Sequence, residues 1–311
     1  MRYRNERKPA MPSCLILSDS TLDFSSFQAK VEQVQVVPFH YTDAQGSFSG
    51  DDDLFSTMGP HEFYNAIRSG AELMTSQPSQ LEFEELFSAV RDSGDEAVLF
   101  CISTGISGGY NGAHAALGRI CEQAPEFRKR IFVVDTLASS TPMHLLVYEA
   151  CRMRDRGFSA REIYEWALEA RWCVQTLFMV DDLDALHRGG RIPKSVAAAG
   201  DVLHVKPLLH FDLEGKLGMV GVARGRKKGL AKLAKFYQTR HIDPADGPIA
   251  AIGDADAPHD GDALAALIKE RYPELRVLRS AIGPTIGCHV GPGMVSCCFW
   301  GKDRRDAKAG A

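Results

Sequence analysis

Short apolar runs alternate with amphipathic segments along the first half of the chain. The apolar runs are typical of buried strands, and they are CLILSD (14–19), VQVVPFHY (34–41), EAVLFCIS (96–103) and IFVVD (131–135). Segments with apolar residues at helical spacing lie between and after them, at 59–70, 81–93 and around 145–153. Strands that alternate with helices indicate a parallel sheet flanked by helices.

The pattern changes in the second half of the chain. Two strand-like runs, 206–212 and 216–223, are joined by a turn at Glu214 and Gly215, which predicts a hairpin and so antiparallel pairing. We therefore predict an α/β fold with two domains and a cleft between them. An N-terminal parallel-sheet α/β domain spans 12–165, an α+β domain with antiparallel strands spans 166–302, and 303–311 forms a disordered tail.

Composition narrows the class of protein. The 311 residues are 45% hydrophobic, and 36 Lys and Arg face 40 Asp and Glu. A net charge of -4 argues against a nucleic-acid partner, which would need a basic excess. No apolar run approaches the about 20 residues of a membrane span, so we expect no stable membrane insertion. The charged first ten residues do not resemble a signal peptide, and we expect a cytoplasmic protein.

The sequence predicts no bound metal and no cofactor. Most of the 8 cysteines are scattered through apolar runs, and only Cys297 and Cys298 are adjacent. Zinc sites usually need Cys or His pairs at short fixed spacing. The chain also has no Walker loop and no dinucleotide-binding fingerprint. Any nucleotide chemistry therefore belongs to a partner.

Polar groups follow several predicted strands, where open α/β sheets bind ligands. Ser107 and Gly108 lie where a strand leads into a helix, which describes either an anion site or a simple helix cap. Thr75 belongs to the hydroxyl-rich loop TSQPS, which either contacts a ligand or caps the next helix. His289 lies between two Gly-Pro pairs, either as a structural residue or as a donor to a carboxylate or phosphate.

A basic run begins the helix predicted over 225–240. Arg224, Arg226, Lys227 and Lys228 form either a solvated helix face or a docking surface for an acidic or phosphorylated partner.

Six segments together resemble the DegV family. They occur in the family's order: ILSDST (16–21), TSQPS (75–79), ISTGISGGYNGA (102–113), VDDLDALHRGGRI (180–192), ARGRKKGL (223–230) and IGPTIGCHVGPG (282–293). The resemblance covers the chain from about residue 14 to residue 300. It implies two α/β domains with a lipid pocket between them. One departure is Gly109, because the family loop often has Thr at this position after Ser-Gly.

The resemblance implies a lipid-binding protein that is not itself an enzyme. It would hold a long-chain fatty acid in an apolar tunnel and present the carboxylate to a separate fatty acid kinase, which forms an acyl phosphate from ATP. By motif, Thr75 and Ser107 with Gly108 would meet the carboxylate, and His289 would lie beside it. Arg224, Arg226 and Lys227 would dock the partner. The candidates for the tunnel lining are Ile106, Leu208, Ile282 and Ile286.

Two alternatives remain open at this point. The residues Gly105, Ser107 and Gly109 fit the short G-x-S-x-G pattern of serine hydrolases, with His289 as base and Asp254 or Asp256 as acid. The other alternative is a non-catalytic binder of a different apolar carboxylate, such as an isoprenoid or bile-type acid.

Overall fold

The structure is a computed structural model that describes residues 14–196 and 205–306. Its strands are β1 (Cys14–Asp19), β2 (Val34–Val37), β3 (His40–Asp43), β4 (Ser49–Asp51), β5 (Leu73–Ser76), β6 (Glu96–Cys101), β7 (Ile131–Asp135), β8 (Val174–Met179), β9 (Val205–Phe211), β10 (Leu217–Arg224), β11 (Ile249–Asp254), β12 (Arg276–Ala281) and β13 (Val295–Trp300). Its helices are α1 (Ser26–Val31), α2 (Pro60–Arg68), α3 (Gln80–Ser93), α4 (Gly109–Gln123), α5 (Thr141–Asp155), α6 (Ala160–Ala170), α7 (Asp184–Arg188), α8 (Arg226–Arg240), α9 (Pro258–Lys269) and α10 (Pro284–Val290).

The N-terminal sheet is parallel, as the alternating pattern predicts. Its strand order is β2-β1-β6-β7. Successive residues of β1 enter opposite cores, because side chains alternate between the faces of a strand. Ile16 packs with α5 and α6, and Leu17 packs with α3 and α4. Helices on both faces explain why these strands read as continuous apolar runs.

The second sheet is mostly antiparallel, and its order is β10-β9-β8-β13-β11-β12. Only β11 and β12 pair in parallel. Helices α8 and α9 cover one face, and α5 packs against β8, β11 and β13 as well as β1. Ten residues of α5 are buried, since the helix lies between the two sheets. The two-domain α/β architecture is confirmed.

Three segments of the structure were not fully predicted from the sequence. The single strand expected over 34–41 divides into β2 and β3 at Pro38, which has no N–H to donate to a ladder. β3 then joins β4 and β5 in a small antiparallel sheet, so part of the expected loop 74–80 is a strand. The segment around His289 forms α10 rather than a turn. Pro284 begins this helix, a position where a missing N–H costs nothing.

The segment 303–306 carries contacts that a disordered tail would lack. Arg304 Nη1 donates to the Phe211 carbonyl at 2.8 Å, and Arg305 Nη2 donates to Glu169 at 2.7 Å. Residues 307–311 lie outside the described residues. The charged first ten residues, which do not resemble a signal peptide, also lie outside them.

Candidate functional site

A narrow cavity lies between the two sheets, and the empty space in and in front of it, open solvent included, is about 610 Å³. Most of its wall is apolar, and the larger apolar residues are Phe39, Ile102, Ile106, Phe178, Leu186, Phe211, Leu217, Ile286, Val290 and Met294. Polar groups are concentrated in a few places, which gives the cavity chemically distinct ends.

Thr75 and His289 meet in the wall of this cavity. Thr75 lies on β5 opposite Tyr41, and its Oγ1 is 2.8 Å from His289 Nε2. Burial, and secondarily the charge of Arg191, lowers the pKa of His289 to about 4. The imidazole is therefore neutral at pH 7. When its Nε2–H donates to Thr75, the threonine hydroxyl is free to donate to a ligand.

Ser107 lies in the same wall, just before α4. Its Oγ accepts a hydrogen bond from Gly109 N at 3.2 Å, so its own proton remains available to a ligand. Gly108 caps α4 and does not line the cavity. A Cβ at Gly108 would lie 2.5 Å from Gln77 Oε1, so the missing side chain lets the TSQPS and ISGG segments touch.

Arg191, of the HRGGRI segment (187–192), also lines the cavity. Its Nε donates to the Ile106 carbonyl at 3.2 Å, and a second nitrogen donates to Gly189 O. Burial lowers its pKa from the usual value. Arg191 follows Gly189 and Gly190, and this glycine pair most simply indicates the end of a helix rather than a binding site. A fixed positive charge near Thr75, Ser107 and His289 makes this end favourable for an anion.

The four candidates for the tunnel lining separate into two groups. Ile106 and Ile286 line the cavity. Ile282 is fully buried in the adjoining core rather than in the lining. Leu208 lies on the wrong face of β9, where it packs against α8 in a separate core. Because side chains alternate along a strand, Phe211 faces the cavity instead.

Arg226 differs from the other residues of the basic run. Its guanidinium donates to Asp181 at 2.6 Å, to Asp260 at 2.5 Å and to the Gly293 carbonyl at 2.8 Å. It therefore ties α8 to its neighbours and is not a free docking cation. Arg224, Lys227 and Lys228 are exposed.

We expect Arg226→Gln to destabilise the fold far more than Lys227→Gln. The first change removes charged hydrogen bonds, each worth about 1–3 kcal/mol, whereas a surface change stays within about 0.5 kcal/mol. Urea unfolding measures both values. Equal, small effects would show that the network around Arg226 contributes nothing to stability.

A serine hydrolase triad is not assembled around Ser107. His289 Nε2 is paired with Thr75, and its buried Nδ1 has no hydrogen-bond partner among the described residues. Both candidate acids have other partners: Asp254 accepts from Arg279 at 2.7 Å, and Asp256 accepts from Arg68 at 2.5 Å. A catalytic histidine needs an acid that orients it.

Two features are absent from residues 14–196 and 205–306. No helix in these ranges has the length and apolar character to cross a bilayer. No group of three or more His, Cys, Asp or Glu side chains in them is arranged to hold a metal ion.

A parallel α/β domain, a second mostly antiparallel domain and a largely apolar cavity between their sheets define a class of two-domain fold. The chain belongs to the DegV family. The signature described as "Uncharacterised protein, DegV family" matches residues 13–302. A DegV domain-containing protein of Clostridium perfringens is 36% identical over 253 residues, which is 81% of this chain and 86% of that protein.

Solved structures share the fold. A Thermus thermophilus DegV family protein, described by its fatty acid binding, has a TM-score of 0.77 and 27% identity, with 93% of this chain and 100% of that chain covered. The Streptococcus pneumoniae fatty acid kinase (Fak) B3 protein, loaded with linoleic acid, has a TM-score of 0.79 and 18% identity, with the same shares of both chains covered.

Proposed function

We propose that this protein binds a long-chain fatty acid in the cavity and presents its carboxylate to a separate ATP-dependent acyl kinase. The observation that carries the proposal is a largely apolar cavity whose wall includes the bonded pair Thr75 and His289 together with Ser107. The fatty acids bound by the Thermus thermophilus and Streptococcus pneumoniae proteins support it.

The polar end suits a carboxylate. The Ser107 and Thr75 hydroxyls each have a proton to donate, and hydrogen bonds to an ionised acceptor are roughly twice as strong as neutral ones. Arg191 supplies positive charge without filling the site. The apolar wall then receives the chain, and burial contributes about 0.8 kcal/mol for each methylene before ordering costs.

The kinase belongs to the proposal because the chain has no nucleotide-binding motif of its own. The Streptococcus pneumoniae neighbour is by name a protein of a fatty acid kinase. Arg224, Lys227 and Lys228 are exposed at and beside the start of α8 and offer a basic surface to an acidic face of such a partner. We also propose the cytoplasm as the compartment of the pair, because the proposed reaction uses ATP.

Organic extraction of the natively purified protein, followed by mass spectrometry, tests the proposal. We expect a long-chain fatty acid in the extract, and saturable binding when the delipidated protein is titrated with acids of 14 to 18 carbons. Finding neither would refute the proposal. Recovery of an isoprenoid or bile-type acid in place of a fatty acid would support the alternative ligand class.

Gly189→Ala is expected to weaken fatty acid binding about tenfold. A Cβ at Gly189 would overlap His289 Nδ1, while the backbone φ of -72° accepts alanine. The imidazole must therefore move away from Thr75 and lose a hydrogen bond of about 0.5–1.5 kcal/mol.

Gly118→Ala is the matched control, because a Cβ at Gly118 meets nothing within 4 Å. Isothermal titration of delipidated protein compares the two variants. Equal affinities for both would show that the position of His289 does not matter for binding.

A further inference from the structure

One part of the cavity wall is unusually rich in hydroxyl groups. The residues concerned lie at the start of α5, on β8 and on β13, and they are Ser139, Ser140, Thr141, Thr176 and Ser296. All five are buried. An alkyl chain makes no hydrogen bonds, so this hydroxyl wall has no role in holding a plain fatty acid.

The hydroxyl wall includes neighbouring positions on β8 and β13. Ser296 lies opposite Phe178 in the ladder, one side-chain step from Thr176 on the same face, and both Thr176 and Ser296 line the cavity. Ser139 follows Ala138, whose carbonyl accepts a hydrogen bond from Ser103 N, and the Ser103 carbonyl accepts one from Ser107 N.

Three of the five hydroxyls already have partners. Ser140 Oγ donates to Asp23 at 2.5 Å, and Thr141 Oγ1 is 2.7 Å from Ser296 Oγ. Ser139 is different, because its hydroxyl has no hydrogen-bond partner in the described parts of the chain. Among the described residues, Thr176 has one side-chain hydrogen-bond partner, the thiol of Cys298, and thiols form only weak hydrogen bonds.

The backbone that carries Ser139 is strained. Leu137 and Ser140 have φ values of 51° and 61°, in a region that non-glycine residues rarely adopt. Such backbone positions cluster at active sites and ligand clamps. Here the strained turn carries three consecutive hydroxyl residues, Ser139, Ser140 and Thr141, into the cavity wall.

We propose that the preferred ligand is a long-chain fatty acid with a hydroxyl group on its chain, paired with Ser139 or Thr176. This inference rests on the proposed function and specifies its ligand class. A plain alkyl chain would leave the Ser139 hydroxyl unpaired and Thr176 with only its weak thiol partner. Sites built to pair a ligand hydroxyl discriminate strongly against analogues that lack it.

A positional series of monohydroxy octadecanoic acids tests the inference against octadecanoic acid. We expect at least one isomer to bind the delipidated wild-type protein about tenfold more tightly or better. Thr176→Val and Ser139→Ala should each bring that ratio near one. Thr176→Ser, which keeps the hydroxyl, should retain the preference, and circular dichroism confirms folding.

Thr239→Val makes the same chemical change on the exposed surface of α8 and should change no affinity. If octadecanoic acid binds as tightly as every hydroxy isomer, the inference is overturned and the proposed function stands. A preference that survives in both hydroxyl-deleted variants also overturns it. If no acid binds at all, the proposed function fails and takes the inference with it.

Discussion

The combined variant Thr75→Val and Ser107→Ala is expected to lose nearly all high-affinity binding of long-chain fatty acids. Both hydroxyls line the cavity. The Thr75 oxygen is paired with His289 Nε2 and the Ser107 oxygen accepts from Gly109 N, so each hydroxyl keeps its own proton to donate to a ligand. A hydrogen bond to a charged group is worth about 1–3 kcal/mol. Two such losses weaken binding by a factor of about 30 or more.

Titration of delipidated protein with a fluorescent or unlabelled fatty acid measures this loss. The control is the pair Thr239→Val and Ser93→Ala, whose hydroxyls bond to helix carbonyls outside the cavity. We expect the control to bind like the wild type. If the cavity variant does so as well, the carboxylate lies elsewhere.

The loss of affinity should depend on the carboxylate of the ligand rather than on its alkyl chain. A long-chain alcohol of the same length has no charge to satisfy, so its affinity should fall much less in the cavity variant. Comparable losses for acid and alcohol would mean that the substitutions disturb the apolar part of the cavity.

Most of the sheet and helix pattern could be predicted from the sequence. β1 begins and ends where its apolar run does, and the capping pattern at Ser159 begins α6 as a full capping box. These features are local, because a strand's burial or a helix's first turn depends on neighbours in the chain. The six DegV-like segments added the long-range arrangement that periodicity cannot supply.

The cavity was harder to predict, since its wall joins residues far apart in the chain. α10 was missed because Gly-Pro pairs indicate turns, although Pro284 is well placed as a first helical residue. Leu208 was predicted on the cavity face of β9 but lies on the opposite face. A shift of one residue along a strand exchanges its two faces, and the sequence of β9 is apolar on both. The strained turn at Ser139 could not be predicted, because positive φ values at non-glycine residues cannot be inferred from composition.

Buried carboxyl groups connect the two domains next to the cavity. Asp23 accepts a hydrogen bond from Gly283 N at 2.9 Å, and Asp52 accepts one from Thr285 N at 3.1 Å, so both hold the start of α10. Burial raises the pKa of Asp52 and of Asp19 to about 6, and it also raises the pKa of Asp23 well above its usual value. The helix that carries His289 is thus anchored on groups that resist ionisation.

These groups make stability depend on pH in a definite direction. A carboxyl group whose pKa is raised on folding contributes stability below about pH 4, and that contribution is lost as the pH rises to about 6. His144 and His289 act in the opposite sense, because burial lowers the pKa of each to about 4. Their stabilising contribution is present above about pH 6.5 and is lost as the pH falls towards 4. The opposing slopes partly cancel in the wild type.

Asp52→Asn should expose this cancellation. The amide keeps an acceptor oxygen for Thr285 N but cannot ionise. The difference in unfolding free energy, variant minus wild type, should therefore increase by about 2–3 kcal/mol between pH 4 and pH 7, since a shift of about two pKa units at 1.36 kcal/mol each is removed. Urea unfolding at several pH values measures it.

Asp155→Asn makes the same change at an exposed residue at the end of α5, and its effect should stay within about 0.5 kcal/mol. A variant-minus-wild-type difference for Asp52 that is constant from pH 4 to pH 7 would show that its pKa is the same in the folded and unfolded chain. The anchor of α10 would then be an ordinary ionised carboxylate. An increasing difference means that α10, and His289 with it, is held most firmly when Asp52 is protonated.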